Sequence, residues 1–209
     1  MKTFTFVRGK AIPFLLDDID TDQIAPANLV RTLTPDYKIA MFGHRRASAI
    51  AADKPLPFDM PQYAGAPILV TGKNFGCGSA REVAVWALAE NGIRCIVAPS
   101  FSAVYRESCL KNGILPVVLD EPSHADFAAI CVRDDGRGEF VADLASRTLH
   151  TPEGREFPFA FDAGEREALL HGLDDVASTL RYVGDIERWE TRCEIETPWL
   201  RRVSIDTSR

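Results

Sequence analysis

The sequence predicts an α/β fold in which parallel βαβ units are joined to a group of antiparallel strands. Two observations carry that expectation. Between Pro67 and Cys131, short apolar runs alternate with helix-forming stretches, two of them closed by glycine. Between Phe140 and Phe161, short alternating segments are separated by Gly, Pro or polar turns. With 209 residues and 46% hydrophobic content, the chain can bury one substantial core, so a single domain spanning 1–209 is expected.

Met1 to Gly9 alternates as a first strand does and lacks the apolar core of a signal peptide. Asp17 to Asn28 is turn-rich, with four aspartates in its first six residues. Calcium is disfavoured there, because the glycine and terminal glutamate of an EF-hand loop are missing. Capping and Asx turns are the default. Ile19 and Ile24 would anchor the segment, so Thr21 and Asp22 can present side chains from a fixed turn. The stretch from about 29 to 63 reads as a functional or mobile loop. It holds Pro35, Pro55, Pro57 and Pro61 and a basic cluster, His44-Arg45-Arg46, with a short helix only at Asp36 to Phe42.

Pro67 to Thr71 is an apolar run of buried-strand type, and Glu82 to Asn91 is a helix stopped by Gly92. Trp86, Ala87 and Leu88 on that helix are expected in the core. Cys95 to Ala98 is a strand, Phe101 to Asn112 a helix closed by Gly113, and Leu115 to Leu119 a strand. Packing and surface roles are expected for Tyr105 and Arg106. A helix follows near Ser123 to Cys131. Strands are expected at Phe140–Leu144, Arg147–His150 and Arg155–Phe161, then helices over Asp162–Gly172 and Asp174–Tyr182. The tail after Ile195 has no clear period and is expected to be mobile.

A net charge of −6 and a pI near 5.3 argue against a nucleic-acid surface. No apolar run approaches the ~20 residues needed to span a bilayer, so a cytoplasmic protein is expected. The five cysteines (77, 95, 109, 131 and 193) form no CxxC pair, and histidines are sparse. No metal is therefore expected on this chain.

The chemistry concentrates between Gly72 and Glu82. A strand, a glycine-rich loop and a helix N-terminus make a local anion site, since glycines let amides converge and the first helical turn leaves donors unpaired. Ser79 is placed at or near the N-cap, with Arg81 one turn in. The hydroxyl either caps the helix or, with its proton removed, acts on a substrate. Arg81 suits a carboxylate, or else pairs with Glu82 or Glu107. Cys77 reads as a small filler. An acceptor at Thr21 or Asp22 could hold Arg81 or a substrate hydroxyl.

Asp20-Thr-Asp-Gln-Ile followed by Pro26, then Asn74-Phe-Gly-Cys-Gly-Ser79-x-Arg81-Glu82, resembles the small subunit of 3-isopropylmalate dehydratase, the swivelling domain of the aconitase superfamily. Ala98-Pro-Ser-Phe101, Asn112-Gly-Ile-Leu-Pro116 and His171-Gly-Leu-Asp-Asp175 extend the resemblance collinearly over nearly the whole chain. It implies a three-layer β/β/α swivelling domain and a hydro-lyase that moves a hydroxyl between adjacent carbons. It also implies a [4Fe–4S] cluster in a separate large subunit, acting there as a Lewis acid, with the two chains forming a heterodimer or heterotetramer around a small dicarboxylate. The resemblance makes Ser79 the alkoxide base, Arg81 the carboxylate ligand and Asp22 a supporting group. Gly78, Ala80 and Thr21 would lie at the substrate. The loop over Leu29–Tyr63 would read the substituent through Leu29, Val30, Arg31 and Leu33.

The family pattern Gly-Ser-Ser-Arg-Glu-His is here Gly78-Ser79-Ala80-Arg81-Glu82-Val83. Losing one transition-state donor costs about 3 kcal/mol. Other substituted malates (2-methylmalate, a dimethylmalate, homocitrate) and a non-catalytic, partner-binding role are therefore the alternatives. Apolar Leu29, Val30 and Leu33 favour an apolar substituent, while Arg31 leaves room for a second carboxylate contact.

Overall fold

The computed structural model describes residues 3–79 and 81–200. The chain packs as two compact units, 1–172 and 173–209. In the first, β1 (Phe6–Gly9) is followed by β2 (Ala11–Phe14), β3 (Ile68–Thr71), β4 (Cys95–Ala98), β5 (Leu115–Val118), β6 (Phe140–Asp143), β7 (Thr148–His150) and β8 (Glu156–Pro158). Strands β2-β3-β4-β5 form a parallel sheet in that order, and β1-β6-β7-β8 form an antiparallel one. The parallel sheet is apolar on both faces, as a sheet covered on both sides must be. Ile68, Val70, Cys95, Val97, Leu115 and Val117 pack with Phe140, Ala142, Leu149 and Phe157 of the antiparallel sheet. Their sequence neighbours Leu69, Ile96 and Ala98 point the other way, into a second cluster with Ala84, Val85, Leu88, Tyr105 and Cys109. Period-two alternation thus builds the β/β/α layering.

Strand β2 was not expected from the sequence and contains Pro13. The proline is tolerated because β2 is an edge strand, and Pro116 sits on the opposite edge, β5.

The helices are α1 (Thr21–Ile24), α2 (Ala27–Val30), α3 (Tyr37–Ala40), α4 (Gly43–Ala51), α5 (Glu82–Glu90), α6 (Ala103–Lys111), α7 (Glu121–Asp134) and α8 (Ala163–His171). Asp120 and Asp162 cap α7 and α8, and Gly172 closes α8 in the left-handed region at φ 68°. The second unit contains α9 (Asp175–Leu180), capped by Asp174, and α10 (Val183–Glu196). Residues 196–200 are the end of α10 and a 3-10 turn. The rest of the expected mobile tail, 201–209, lies outside the described residues.

Two expectations need correction. Residues 29–63 are not irregular: α3, α4 and two 3-10 turns (Pro57–Asp59, Pro61–Tyr63) occupy most of the stretch. Arg46 ties them together, donating to Asp59 through Nε (2.9 and 3.1 Å) and to the carbonyl of Lys38 (3.1 Å). Trp86 is 37% exposed rather than in the core, although Ala87 and Leu88 are buried. Its ring edge meets Tyr37, and its Nε1 donates to Asn112 Oδ1 at 3.1 Å.

Candidate active site

The four aspartates of the 17–22 segment each have a partner. The backbone of Leu16–Thr21 runs beside Gly72–Ser79: Gly72 N–H donates to Leu16 O (3.1 Å), Gly76 N–H to Ile19 O (2.8 Å) and Thr21 N–H to Cys77 O (3.1 Å). Along that seam Asp17 accepts from Lys73 N–H (2.9 Å) and Asp18 from the Asn74 amide (2.8 Å). Asp20 caps α1 by accepting from Gln23 N–H (2.7 Å), and Asp22 pairs with Arg81. So the acidic run neither scatters into turns nor gathers as a metal site. It laces the glycine loop to α1.

The loop lies at the carboxyl end of β3, where open parallel sheets place their binding crevices. Ser79 is exposed, and its backbone is fixed because its carbonyl accepts from the buried Thr21 hydroxyl at 2.5 Å. Arg81, not Ser79, is the N-cap of α5, and no side chain caps that first turn. The expectation that Ser79 caps the helix, with Arg81 a turn further in, is corrected accordingly. The N-terminus of α5, without a side-chain cap, begins at Glu82, three residues after the serine in sequence. Arg81 pairs with neither Glu82, which accepts from Asn112 (3.1 Å), nor Glu107, which pairs with Lys111 (2.8 Å). Gly78 is exposed in the left-handed region, at φ 80°. Burial, then Asp20 and Asp18, raise the Cys77 thiol above its ordinary pKa, which suits a filler and not a nucleophile.

An exposed serine on a pinned loop, beside an arginine clamped by an aspartate, is found on a chain with extensive relatives. The aconitase C-terminal domain family matches residues 1–122. The 3-isopropylmalate dehydratase small subunit of Rhodospirillum centenum is 39% identical over 95% of this chain and 98% of its own length. That of Cupriavidus necator is 38% identical over 96% and 98%. The chain belongs to the 3-isopropylmalate dehydratase small-subunit family. A solved 3-isopropylmalate dehydratase from Methanocaldococcus jannaschii shares the fold with a TM-score of 0.58, at 24% identity over 88% of this chain and 99% of that one.

Against that family's pattern, Ala80 lies outside the described residues. Val83 is half-buried and packs against the second core cluster. Its side chain serves the hydrophobic layer under α5 and brings no titratable group to the loop. Leu29 and Val30 are half-buried on α2, where Leu29 fills the space over Gly43. Arg31 follows as the exposed C-cap of α2, and Leu33 is fully exposed. The structure therefore gathers Ser79, Gly78, Thr21, Asp22 and Arg81. Among the described residues, no hydrogen bond or ion pair joins that group to residues 29–33.

A cleft of about 420 Å³ opens beside Asp22, lined by Gln23, Pro26, His44, Arg45 and Ser48 as well as Asp20. Arg45 donates to Gln23 Oε1 at 2.9 Å, and His44 Nε2 shares a 2.8 Å hydrogen bond with Asn28 Oδ1. The basic cluster was visible in the sequence. Its position was not, since helix α4 was unseen.

Among the described residues, no group of three or more His, Cys, Asp or Glu side chains is arranged to hold a metal ion. Cys95, Cys109 and Cys131 are buried, and burial raises their thiols. This donor set does not fit an iron–sulfur cluster. No helix is long and apolar enough to cross a membrane among the described residues.

Proposed function

We propose that this chain is the small subunit of a cytoplasmic hydro-lyase that isomerises 2-isopropylmalate to 3-isopropylmalate in leucine biosynthesis, and that Ser79 is its base. The observation that carries the proposal is the setting of Ser79: an exposed serine on a pinned backbone, with Arg81 two residues on and held by Asp22. A serine hydroxyl works as a base only where positive potential stabilises its alkoxide. The Arg81 guanidinium and the uncapped end of α5 supply that potential. In the dehydration step Ser79 takes the carbon-bound proton while the hydroxyl departs from the adjacent carbon, giving an enoic diacid. Rehydration returns a proton and places the hydroxyl on the other carbon. Arg81 binds a carboxylate through its planar fork, and Asp22 fixes the fork's orientation. Thr21 and Gly78 hold the loop that carries the serine.

The cluster implied by the family resemblance is assigned to a large subunit, and no step described for this chain runs through it. The isolated chain is accordingly inactive, and the working unit is a heterodimer or heterotetramer. Co-expression with a cluster-binding large subunit, followed by assay on 2-isopropylmalate, 2-methylmalate, dimethylmalate and homocitrate, tests the assignment. Highest kcat/KM on 2-isopropylmalate is expected. Preference for homocitrate or 2-methylmalate, or full activity of this chain alone, would overturn it.

A further inference from the structure

Successive residues of α1 each hold an arginine that arrives from a different part of the chain. Asp22 holds Arg81 from the glycine loop, and Gln23 holds Arg45 from α4. The two partners differ in charge. Asp22 pairs with Arg81 through Nη1 and leaves the rest of its fork open, whereas the Gln23 amide orients Arg45 without any countercharge. No carboxylate pairs with Arg45 among the described residues. Helix stability does not explain it either, because a cation in the first turn of a helix opposes the macrodipole. Arg46, its neighbour, has the ordinary structural role, with Asp59 as partner. Arg45 instead lines the cleft of about 420 Å³ that Asp22 also lines, a size suited to a small ligand. The other carboxylate of that cleft, Asp20, is engaged in capping α1.

We propose that Arg45 is a specificity-determining residue that receives the second carboxylate of the diacid, the one Arg81 does not bind. This rests on the dehydratase reading of the Ser79 site. It moves to Arg45 a contact that the sequence suggested for Arg31, which is exposed at the end of α2. Gln23 is the positioning residue, holding the guanidinium over the cleft without neutralising it. His44, tied to Asn28, flanks the same opening.

The test uses the assembled two-subunit complex and reads binding, so that it does not depend on turnover. The probes are malate, the core shared by every candidate substrate, and its two half-amides, each with one carboxylate neutralised. The unmodified complex should prefer malate to each half-amide by about 10- to 100-fold, the range of a charge-assisted contact. In Arg45→Gln one preference collapses toward unity while the other, belonging to Arg81, persists. Arg45→Lys keeps part of the lost preference. The proposal is overturned by preferences that survive unchanged in Arg45→Gln, by their absence in the unmodified complex, by failure of malate to bind, or by loss of subunit assembly in that variant. Absent turnover of 2-isopropylmalate with malate preferences intact would instead count against the substrate assignment alone.

Discussion

At position 76 the backbone sits at φ 75°, and an added Cβ would lie 2.1 Å from the Tyr105 ring. Tyr105 is itself fully buried against Phe75, so the ring has nowhere to move. Gly76→Ala combines a left-handed backbone with an overpacked contact, and a loss of about 3 kcal/mol or more is expected. Urea unfolding of the variant measures it; a midpoint within error of the parent would show that the loop relaxes freely. The same scale shows what a residue pattern reveals. The contact between Arg81 and Asp22 was legible because an arginine and an acceptor stand in two motifs suited to meet. The partners of Asp17 and Asp18 were not, because Lys73 and Asn74 lie 56 residues away in sequence and only the folded seam brings them together.

Among the elements, β3 and β4 were legible as short apolar runs, β5 likewise although it holds Pro116, and α8 by its Asp162 cap and Gly172 stop. Helix α4 escaped notice because none of its nine residues is buried and its stretch is crowded with prolines and basic residues. What holds it is polar. Arg46, with its side chain only 25% exposed, binds Asp59 and the carbonyl of Lys38. Arg46→Ala should cost about 2 kcal/mol locally and speed amide exchange across residues 38–59. Exchange in β3 should stay slow, since its core contacts do not involve Arg46. Uniform acceleration across both would contradict a local staple. Helix α10 was missed as well, and it too buries no residue.

For the molecule as a whole, pH acts through His124 on α7, which is 8% exposed. Burial lowers its pKa below the ordinary 6.5, against smaller raising effects of the Thr71 carbonyl and Asp17. His124 lines a separate cleft of about 460 Å³ together with Asp17, Lys73 and Glu121. A histidine with a depressed folded pKa stays neutral while the unfolded chain takes up a proton. Stability is therefore full above about pH 6.5 and falls as pH drops below it. His124→Gln should flatten that part of the profile, read as urea midpoints at pH 7.5 and 5.5; an identical slope in both proteins would exclude His124 as the source.

The proposed function rests on one hydroxyl, that of Ser79, carried on the loop that follows β3. The most direct test is turnover of 2-isopropylmalate by the two-subunit complex containing Ser79→Ala, with assembly checked by size-exclusion chromatography. Loss of about 10²- to 10⁴-fold in kcat, with the complex intact, is the predicted result. An intact complex that turns over at the parent rate would contradict the assignment of Ser79 as the base.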